Sequence, residues 1–185
     1  MSNRFIMALF YTGRGDKGQS HVGKKKYPKD SPIMETLGDV DELNSLLGVI
    51  RSRAKKELGK KLFLVQENLF IIQARIGWLM VKKFKSPKLT KAKIQALEKE
   101  IEGIEKKIRL ERGFIISGEH ETASWLDYTR SVARRAERSA IKLSKQHKLP
   151  KELLTYLNRL SSYLYALARL EMAQSKTEEK RPRYT

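Results

Sequence analysis

The 185-residue sequence contains no cysteine, which excludes disulfide bonds and thiolate metal sites. It has no apolar stretch close to the roughly 18 residues of a membrane span, and its N-terminal run, FIMALF, is too short for a signal peptide. We therefore expect a cytoplasmic protein. The three histidines, His21, His120 and His147, lie far apart and match no metal-ligand spacing, so we expect no metal site built from protein clusters.

Acidic residues are also scarce, with 21 Asp and Glu against 39 Lys and Arg, for a formal net charge of +18. Such an excess indicates an anionic partner, which could be nucleic acid, acidic lipid or a polyphosphate ligand. The lysines are spread along the whole chain, and aromatic residues do not interleave with them as a base-stacking surface requires. The composition leaves open a solvated lysine-rich surface and an anion-binding surface.

Proline is infrequent, with five residues, and after residue 31 the apolar residues recur with a helical period. The pattern predicts five helices, which run from Pro32 to near Gly59, from Lys60 to before Pro87, from Thr90 to Gly113, from Thr122 to His147 and from Pro150 to Lys176. Long helices with short connections predict an all-α, antiparallel five-helix bundle in a single domain, residues 1–176. A short irregular N-terminal loop at residues 11–30 and a flexible tail at 177–185 complete this expectation.

Glycines cluster near the N-terminus in YTGRGDKGQS, residues 11–20. Three of them, in the spacing G-x-G-x-x-G, are Gly13, Gly15 and Gly18. A dinucleotide-binding turn needs a helix directly after the third glycine, and Gly23 and Pro28 leave no room for one. A triphosphate loop of the Walker type needs a lysine where Gln19 stands. The local chemistry leaves two alternatives, a loop whose backbone N–H groups bind phosphate and a surface turn.

The fourth predicted helix has a polar face that is rich in arginine. On a helical wheel this face carries Asp127, Arg130, Arg134, Glu137 and Arg138. The opposite face carries Trp125, Val132, Ala133, Ala136, Ala140 and Leu143. Because guanidinium groups offer paired donors to phosphate, the polar face is a candidate ligand site. A solvated face with intrahelical ion pairs is the alternative.

Two other helices carry candidate polar positions. In the fifth helix the apolar stripe is Leu153, Leu157, Leu160, Leu164 and Leu167, and another face carries Asn158, Ser162, Tyr165 and Arg169. Asparagine is a poor helix former, so Asn158 has either a site role or a bond to a neighbouring helix. In the first helix, Asp39, Asp41 and Glu42 lie in the first turns, where acids favour the helix dipole. Asp41 could alternatively pair with an arginine of the fourth helix.

Five segments, taken in order, resemble the ATP:cob(I)alamin adenosyltransferases of the propanediol-utilisation type. They are YTGRGDKGQS, GDVDELNSLLG, VQENLFIIQA, FIISG, and RSVARRAERSA with NRLSSYLYALAR, and they cover almost the whole chain. The resemblance implies a five-helix homotrimer with active sites between subunits. It implies an enzyme that moves the 5′-deoxyadenosyl group of ATP to the cobalt of cob(I)alamin and releases triphosphate, with Mg²⁺ bound to ATP. A cobalamin-dependent enzyme or a cobalt reductase is a further implied partner. A non-catalytic relative that binds ATP or a corrinoid, and a nucleic-acid-binding helical module, are the alternatives.

The resemblance also implies roles for individual residues. ATP would be bound by Thr12, Gly13, Gly15, Asp16, Lys17, Gly18, Ser20, Lys29, Arg134, Glu137, Arg138 and Asn158. The catalytic group would comprise Asp41, Phe114, Arg130 and Arg134, with Asp41 and Arg130 paired between subunits and Phe114 against the lower corrin face. The corrinoid side would comprise Phe114, Asn158, Arg159 and Ser162. At Gly15 we expect a positive φ and close approach of phosphate, both of which a larger side chain would disfavour.

The chain departs from the family pattern at five positions. Gln73 stands in place of a glycine, Ser117 of a proline, Glu119 of a second glycine, Asp127 of a histidine and Ser162 of an aspartate. Most of these departures fall on the corrin side. The ATP half therefore follows the family pattern more closely than the corrin half.

Overall fold

The computed structural model describes residues 11, 13–82, 85–108 and 113–184. Its elements are β1 (Gln19–Val22), β2 (Lys25–Pro28), α1 (Pro32–Arg53), α2 (Lys56–Gly77), α3 (Lys91–Glu105), α4 (Glu121–Ser144) and α5 (Lys151–Ser175). The predicted five-helix bundle is confirmed. Polar contacts join the start of α1 to the ends of α2 and α4, and the start of α4 to the end of α5, so consecutive helices run in opposite directions. None of the described helices is long and apolar enough to cross a membrane.

The core forms where the predicted apolar stripes of α4 and α5 meet α1, α2 and α3. All five stripe leucines of α5 are buried, and so are Ala133, Ala136 and Ala140 of α4. These alanines let the helices approach closely, and each buried leucine contributes about 1.5–3 kcal/mol through removal of apolar surface from water. The buried Tyr156 hydroxyl accepts a hydrogen bond from Nδ2 of Asn68 at 3.1 Å. Burial raises the pKa of Tyr156 to about 12.

Three predicted helix ends are wrong. The first helix ends at Arg53 rather than near Gly59, because Ala54 and Lys55 adopt extended conformations with ψ of 149° and 151°. These two residues reverse the chain without a proline or glycine to mark the turn, and Gly59 lies inside α2. The second helix ends at Gly77 rather than just before Pro87, and the third ends at Glu105 rather than at Gly113.

The N-terminal segment is more regular than the predicted loop. Strands β1 and β2 form an antiparallel hairpin in which Gln19 pairs with Pro28 and Val22 with Lys25. The two-residue turn between them begins with Gly23 at φ +63°, as type II′ hairpin turns require. The Tyr27 hydroxyl donates to the Met80 carbonyl at 3.2 Å, which fixes the hairpin near the end of α2. The expectation that no helix follows the third glycine is confirmed.

Candidate active site

A cavity of about 530 Å³ lies between α3, α4, α5 and the segment of residues 113–119. Four predicted site residues line it, namely Phe114, Arg130, Arg134 and Ser162. They come from three separate parts of the chain and meet because α4 and α5 pack side by side with the 113–119 segment across their ends. Ile101 and Ile104 of α3 add an apolar wall. The cavity therefore combines an apolar surface with two guanidinium groups.

The two arginines of the cavity make no hydrogen bond with the residues that the structure describes. Within the described part of the chain, Arg134 is exposed and makes no hydrogen bond or ion pair. The Nε atom of Arg130 is buried without a hydrogen bond, and it lies 3.9 Å from Oδ1 of Asp127. Asp127 itself forms an ion pair with Arg169 of α5. The predicted polar face of α4 thus presents donors into the cavity, where an anionic ligand can accept them.

Three further predicted residues form a chain of polar contacts between α3, α4 and α5. Asn158 donates from Nδ2 to Oε1 of Glu137 at 2.8 Å and accepts from Arg159 at 3.1 Å. Arg159 donates from Nε to Glu98 of α3 at 2.8 Å. The predicted bond from Asn158 to a neighbouring helix therefore exists. Of the intrahelical ion pairs that a solvated face of α4 could have, Arg130 and Asp127 lie at pairing distance, 3.9 Å, whereas Arg134 and Glu137 do not pair among the described residues.

The glycine-rich loop has the conformation of a tight basic turn. Gly13 and Gly18 have φ of +66° and +71°, whereas Gly15 is not among the residues with positive φ, so that expectation for Gly15 is wrong. An added Cβ at Gly15 would lie 3.3 Å from Nζ of Lys29, and the close approach of phosphate to Gly15 stays a prediction. The N–H of Lys29 donates to the Gly18 carbonyl at 2.9 Å. Thr12 lies outside the described residues.

The loop and the cavity are not brought together within one chain. Among the residues that the structure describes, neither residues 13–20 nor Lys29 line the cavity. The hairpin that follows the loop docks near Met80, at the end of the bundle where α1 begins. The 113–119 segment lies at the opposite end, where α4 begins. Arg138 is exposed on α4 and is also absent from the cavity lining.

The acids of α1 pair with an arginine that the sequence reasoning missed. Asp39 accepts from Nε of Arg135 at 3.2 Å, and Glu42 accepts from the same guanidinium, which raises the pKa of Arg135. Asp41 instead accepts from Nε2 of Gln73 at 3.1 Å. Within one chain, the ion pair with an arginine of α4 that was predicted for Asp41 is thus made by Asp39 and Glu42. The spacing of Asp39 and Glu42 on one helical face was the available signal.

The described residues contain no group of three or more histidine, aspartate or glutamate side chains that could hold a metal ion. One of the three histidines has a structural role instead. His120 caps α4, with its Nδ1 atom accepting from the N–H of Ala123 at 3.3 Å.

Comparisons with known proteins agree with this architecture over nearly the whole chain. A family model described as cobalamin adenosyltransferase matches residues 10–171. The corrinoid adenosyltransferase of Bacillus subtilis is 34% identical over 170 residues, which cover 89% of this chain and 87% of the relative. The corrinoid adenosyltransferase PduO of Salmonella typhimurium is also 34% identical, over 166 residues that cover 87% of this chain, but this chain spans only 49% of its length.

A solved structure is similar at the level of the fold. It is a variant of the PduO-type ATP:corrinoid adenosyltransferase from Lactobacillus reuteri, complexed with cobalamin and ATP. The TM-score is 0.87 at 28% identity, and the match covers 94% of this chain and 98% of that one.

Fold and matches together define an ATP-dependent transferase built on a helical bundle. The chain belongs to the cobalamin adenosyltransferase family. Its activity is that of an ATP:corrinoid adenosyltransferase.

Proposed function

We propose that the enzyme transfers the 5′-deoxyadenosyl group of ATP to the cobalt of cob(I)alamin by direct displacement. The electron pair of Co(I) attacks C5′, a Co–C bond forms, and the C5′–O bond breaks. The bonding electrons leave with triphosphate, and cobalt becomes formally Co(III). Because the corrinoid is itself the nucleophile, the protein needs no general base. Its tasks are to bring C5′ close to cobalt and to stabilise the charge on the leaving group.

The observation that carries this proposal is the meeting of Phe114 with Arg130 and Arg134 in one cavity. The Arg134 guanidinium has no anionic partner among the described residues, so it is available to the triphosphate as charge develops. Phe114 is 78% exposed, which is costly for a phenyl ring in water unless a ligand covers it. We assign it to the lower face of the corrin, with Ser162 and Arg159 on the same side.

The ATP side is assigned to residues 13–20 and Lys29, together with Arg134, Glu137, Arg138 and Asn158. Positive φ at Gly13 and Gly18 turns backbone N–H groups outward, where they can bind phosphate oxygens. We further propose that Mg²⁺ arrives bound to the triphosphate. Such ions typically use one or two carboxylates plus phosphate oxygens. In that role the ion would neutralise phosphate charge.

We also propose a homotrimer with each site between two subunits. The separation of the loop from the cavity within one chain supports this arrangement, since the loop of one subunit could then face α4 of the next. The Arg130 side chain is 37% exposed and makes no hydrogen bond in the described chain, and Asp41 of the partner subunit would pair with its terminal nitrogens. On α2, Phe63, Leu64 and Phe70 are 47%, 59% and 61% exposed, as expected of a surface that packs against another subunit. Consumption of ATP and a reduced corrinoid agrees with a cytoplasmic location.

The test is an anaerobic assay with cob(I)alamin and MgATP. Absorbance should report adenosylcobalamin, and one triphosphate should form per adenosyl group transferred. If ATP binds by calorimetry but neither product forms, the chain is a non-catalytic binding protein. Light scattering should give three times the monomer mass of 21.4 kDa. A fully active monomer would refute the inter-subunit site.

A further inference from the structure

The segment that carries Phe114 is tied to the bundle by a buried polar network. Ser117 donates from Oγ to Oδ2 of Asp127 at 2.9 Å. Arg169 of α5 donates to the same carboxylate oxygen. The side chains of Arg169 and Asp127 are only 2% and 10% exposed. Because a buried charge is stable only when it is paired and hydrogen-bonded, this network has a defined geometry.

The C-terminal strap, residues 177–184, fastens the same segment from outside. Arg169 donates from its second terminal nitrogen to Oε1 of Glu179 at 2.8 Å. The N–H of Ile116 donates to the Lys180 carbonyl at 2.8 Å in an isolated antiparallel bridge. Nζ of Lys180 lies 2.9 Å from Oε1 of Glu119, and this hydrogen bond raises the pKa of Lys180. The sequence predicts a flexible tail here, whereas these residues make the three specific contacts just described.

Three of the five departures from the family pattern belong to this network. Ser117 supplies a hydroxyl donor where a proline has none, Asp127 supplies the carboxylate that pairs with Arg169, and Glu119 supplies the partner of Lys180. The three replacements therefore act together. Each one adds a contact that fixes the 113–119 segment to α4, to α5 through Asp127, or to the strap.

We propose that the C-terminal strap holds Phe114 in position for the corrinoid, with Glu179 and Lys180 as positioning residues. The proposal rests on the proposed function. Ile116, whose N–H donates to the Lys180 carbonyl of the strap, is two residues from Phe114 in the sequence. Arg169 also lies 5.1 Å from the ring centre of Tyr165, and Tyr165 lines the cavity. Glu179 thus supports a second cavity wall through Arg169.

Kinetics with both substrates test the strap. Glu179→Gln weakens the charged hydrogen bond to Arg169 and should lower kcat/KM for cob(I)alamin about tenfold. The ATP KM should stay within about twofold, because the residues assigned to ATP do not touch the strap. The control is Glu102→Gln on α3, since Glu102 is exposed, does not line the cavity and makes no side-chain hydrogen bond or ion pair within the described chain. Lys180→Ala gives a second variant at a side chain that is 68% exposed, so its folding is not at risk.

The lower axial ligand provides a sharper readout. If the strap keeps Phe114 where it excludes that ligand, the strap variants should lose more activity with cobalamin than with cobinamide, which lacks the nucleotide ligand. The double exchange Glu119→Lys with Lys180→Glu restores the ion pair in reverse and should recover activity that either single change loses. Equal losses with both corrinoids, or an equal rise in the ATP KM, would overturn the proposal.

Amide hydrogen exchange separates this proposal from the proposed function. In Glu179→Gln and Lys180→Ala, exchange at residues 113–119 should accelerate at least fivefold relative to the native protein and to Glu102→Gln. If the native protein is inactive but exchange accelerates in the variants, the adenosyl transfer is refuted. The proposal that the strap holds residues 113–119 would then still stand. Unchanged exchange together with unchanged cob(I)alamin kinetics in an active protein would refute the strap alone.

Discussion

Replacing Arg134 with alanine is the most direct test of the proposed mechanism, because nothing in the described chain depends on this side chain for folding. Arg134 is exposed, lines the cavity, and makes no hydrogen bond or ion pair with described residues. We therefore expect Arg134→Ala to change the free energy of unfolding by no more than about 0.5 kcal/mol. Any large effect on turnover must then come from the bound substrates.

The magnitude follows from where the charge develops. As C5′–O breaks, negative charge grows on the leaving triphosphate, and a guanidinium beside it binds the transition state more tightly than ATP. Loss of one such donor from an oxyanion site costs about 2.7–4 kcal/mol. The additional donors assigned around the triphosphate reduce dependence on any single one, so we expect about 2–4 kcal/mol. At about 1.4 kcal/mol per factor of ten, kcat should fall between about 30-fold and 1000-fold.

Steady-state kinetics with saturating cob(I)alamin measure this effect. Arg134→Lys keeps the charge but loses the paired donors, so its kcat should lie between those of the native enzyme and the alanine variant. Arg53→Ala is the matched control, since Arg53 is an exposed arginine paired with Glu121 and lies in no proposed site. A folded Arg134→Ala enzyme with native kcat would remove Arg134 from the mechanism. A fall in kcat for Arg53→Ala as well would point to a general effect of surface charge.

Three further predictions follow from particular contacts. Gly18→Ala should raise the ATP dissociation constant several-fold, because φ of +71° disfavours a side chain. Titration calorimetry measures this constant for Gly18→Ala and for the control Gly103→Ala, whose added Cβ also meets nothing within 4 Å. Asp41→Asn should lower kcat at least tenfold while the melting temperature falls by less than about 4 °C, because asparagine keeps an oxygen for Gln73. A larger fall in the melting temperature, measured by scanning calorimetry, would contradict this prediction. Between pH 10 and pH 12, the free energy of unfolding should fall more steeply with pH for the native protein than for Tyr156→Phe. The two slopes should differ by up to about 1.4 kcal/mol per pH unit. The folded-state pKa of about 12 makes this contribution complete below pH 10 and lost as pH rises; parallel urea-unfolding profiles would refute it.

The bundle could be predicted because periodicity reports burial directly. The stripe from Leu153 to Leu167 repeats at helical spacing, and every member is buried. The turn at Ala54 and Lys55 could not be predicted in the same way. Neither residue breaks helices, and the chain reverses there so that Leu58 and Leu62 can pack into the core. The hairpin did carry a signal, namely the two residues Gly23 and Lys24 between two short strands.

The site was harder to predict because its geometry depends on contacts between distant segments. A helical wheel put Asp127 beside Arg130 on the polar face of α4, which gave no sign that Asp127 is buried against Arg169. The partner is 42 residues away, and the pairing exists only because α5 returns along α4. Arg135 was missed for the same reason, since Asp39 is 96 residues away in the sequence. The sequence predicts which charged residues share one face of a helix, but it does not predict their ion-pair partners on another helix.

Ser162 tests whether the corrin side has lost capacity at this position. It stands where the family pattern has an aspartate, and the structure places it exposed at the edge of the cavity. A new carboxylate there keeps its hydration, so Ser162→Asp should change the free energy of unfolding by no more than about 0.5 kcal/mol. If the missing charge limits turnover, kcat/KM for cob(I)alamin should rise up to about tenfold, the value of one charged hydrogen bond.

The control that isolates charge is Ser162→Asn, which matches aspartate in size and retains an acceptor oxygen. A gain confined to Ser162→Asp, with the ATP KM unchanged, would establish a role for the carboxylate on the corrin side. Equal gains for both variants would assign the effect to hydrogen bonding alone. A rise in the ATP KM would mean that the new carboxylate pairs with Arg130 or Arg134, which line the same cavity. That outcome would contradict the division of the site into an ATP side and a corrin side, because one substitution would then act on both substrates through the same guanidinium groups.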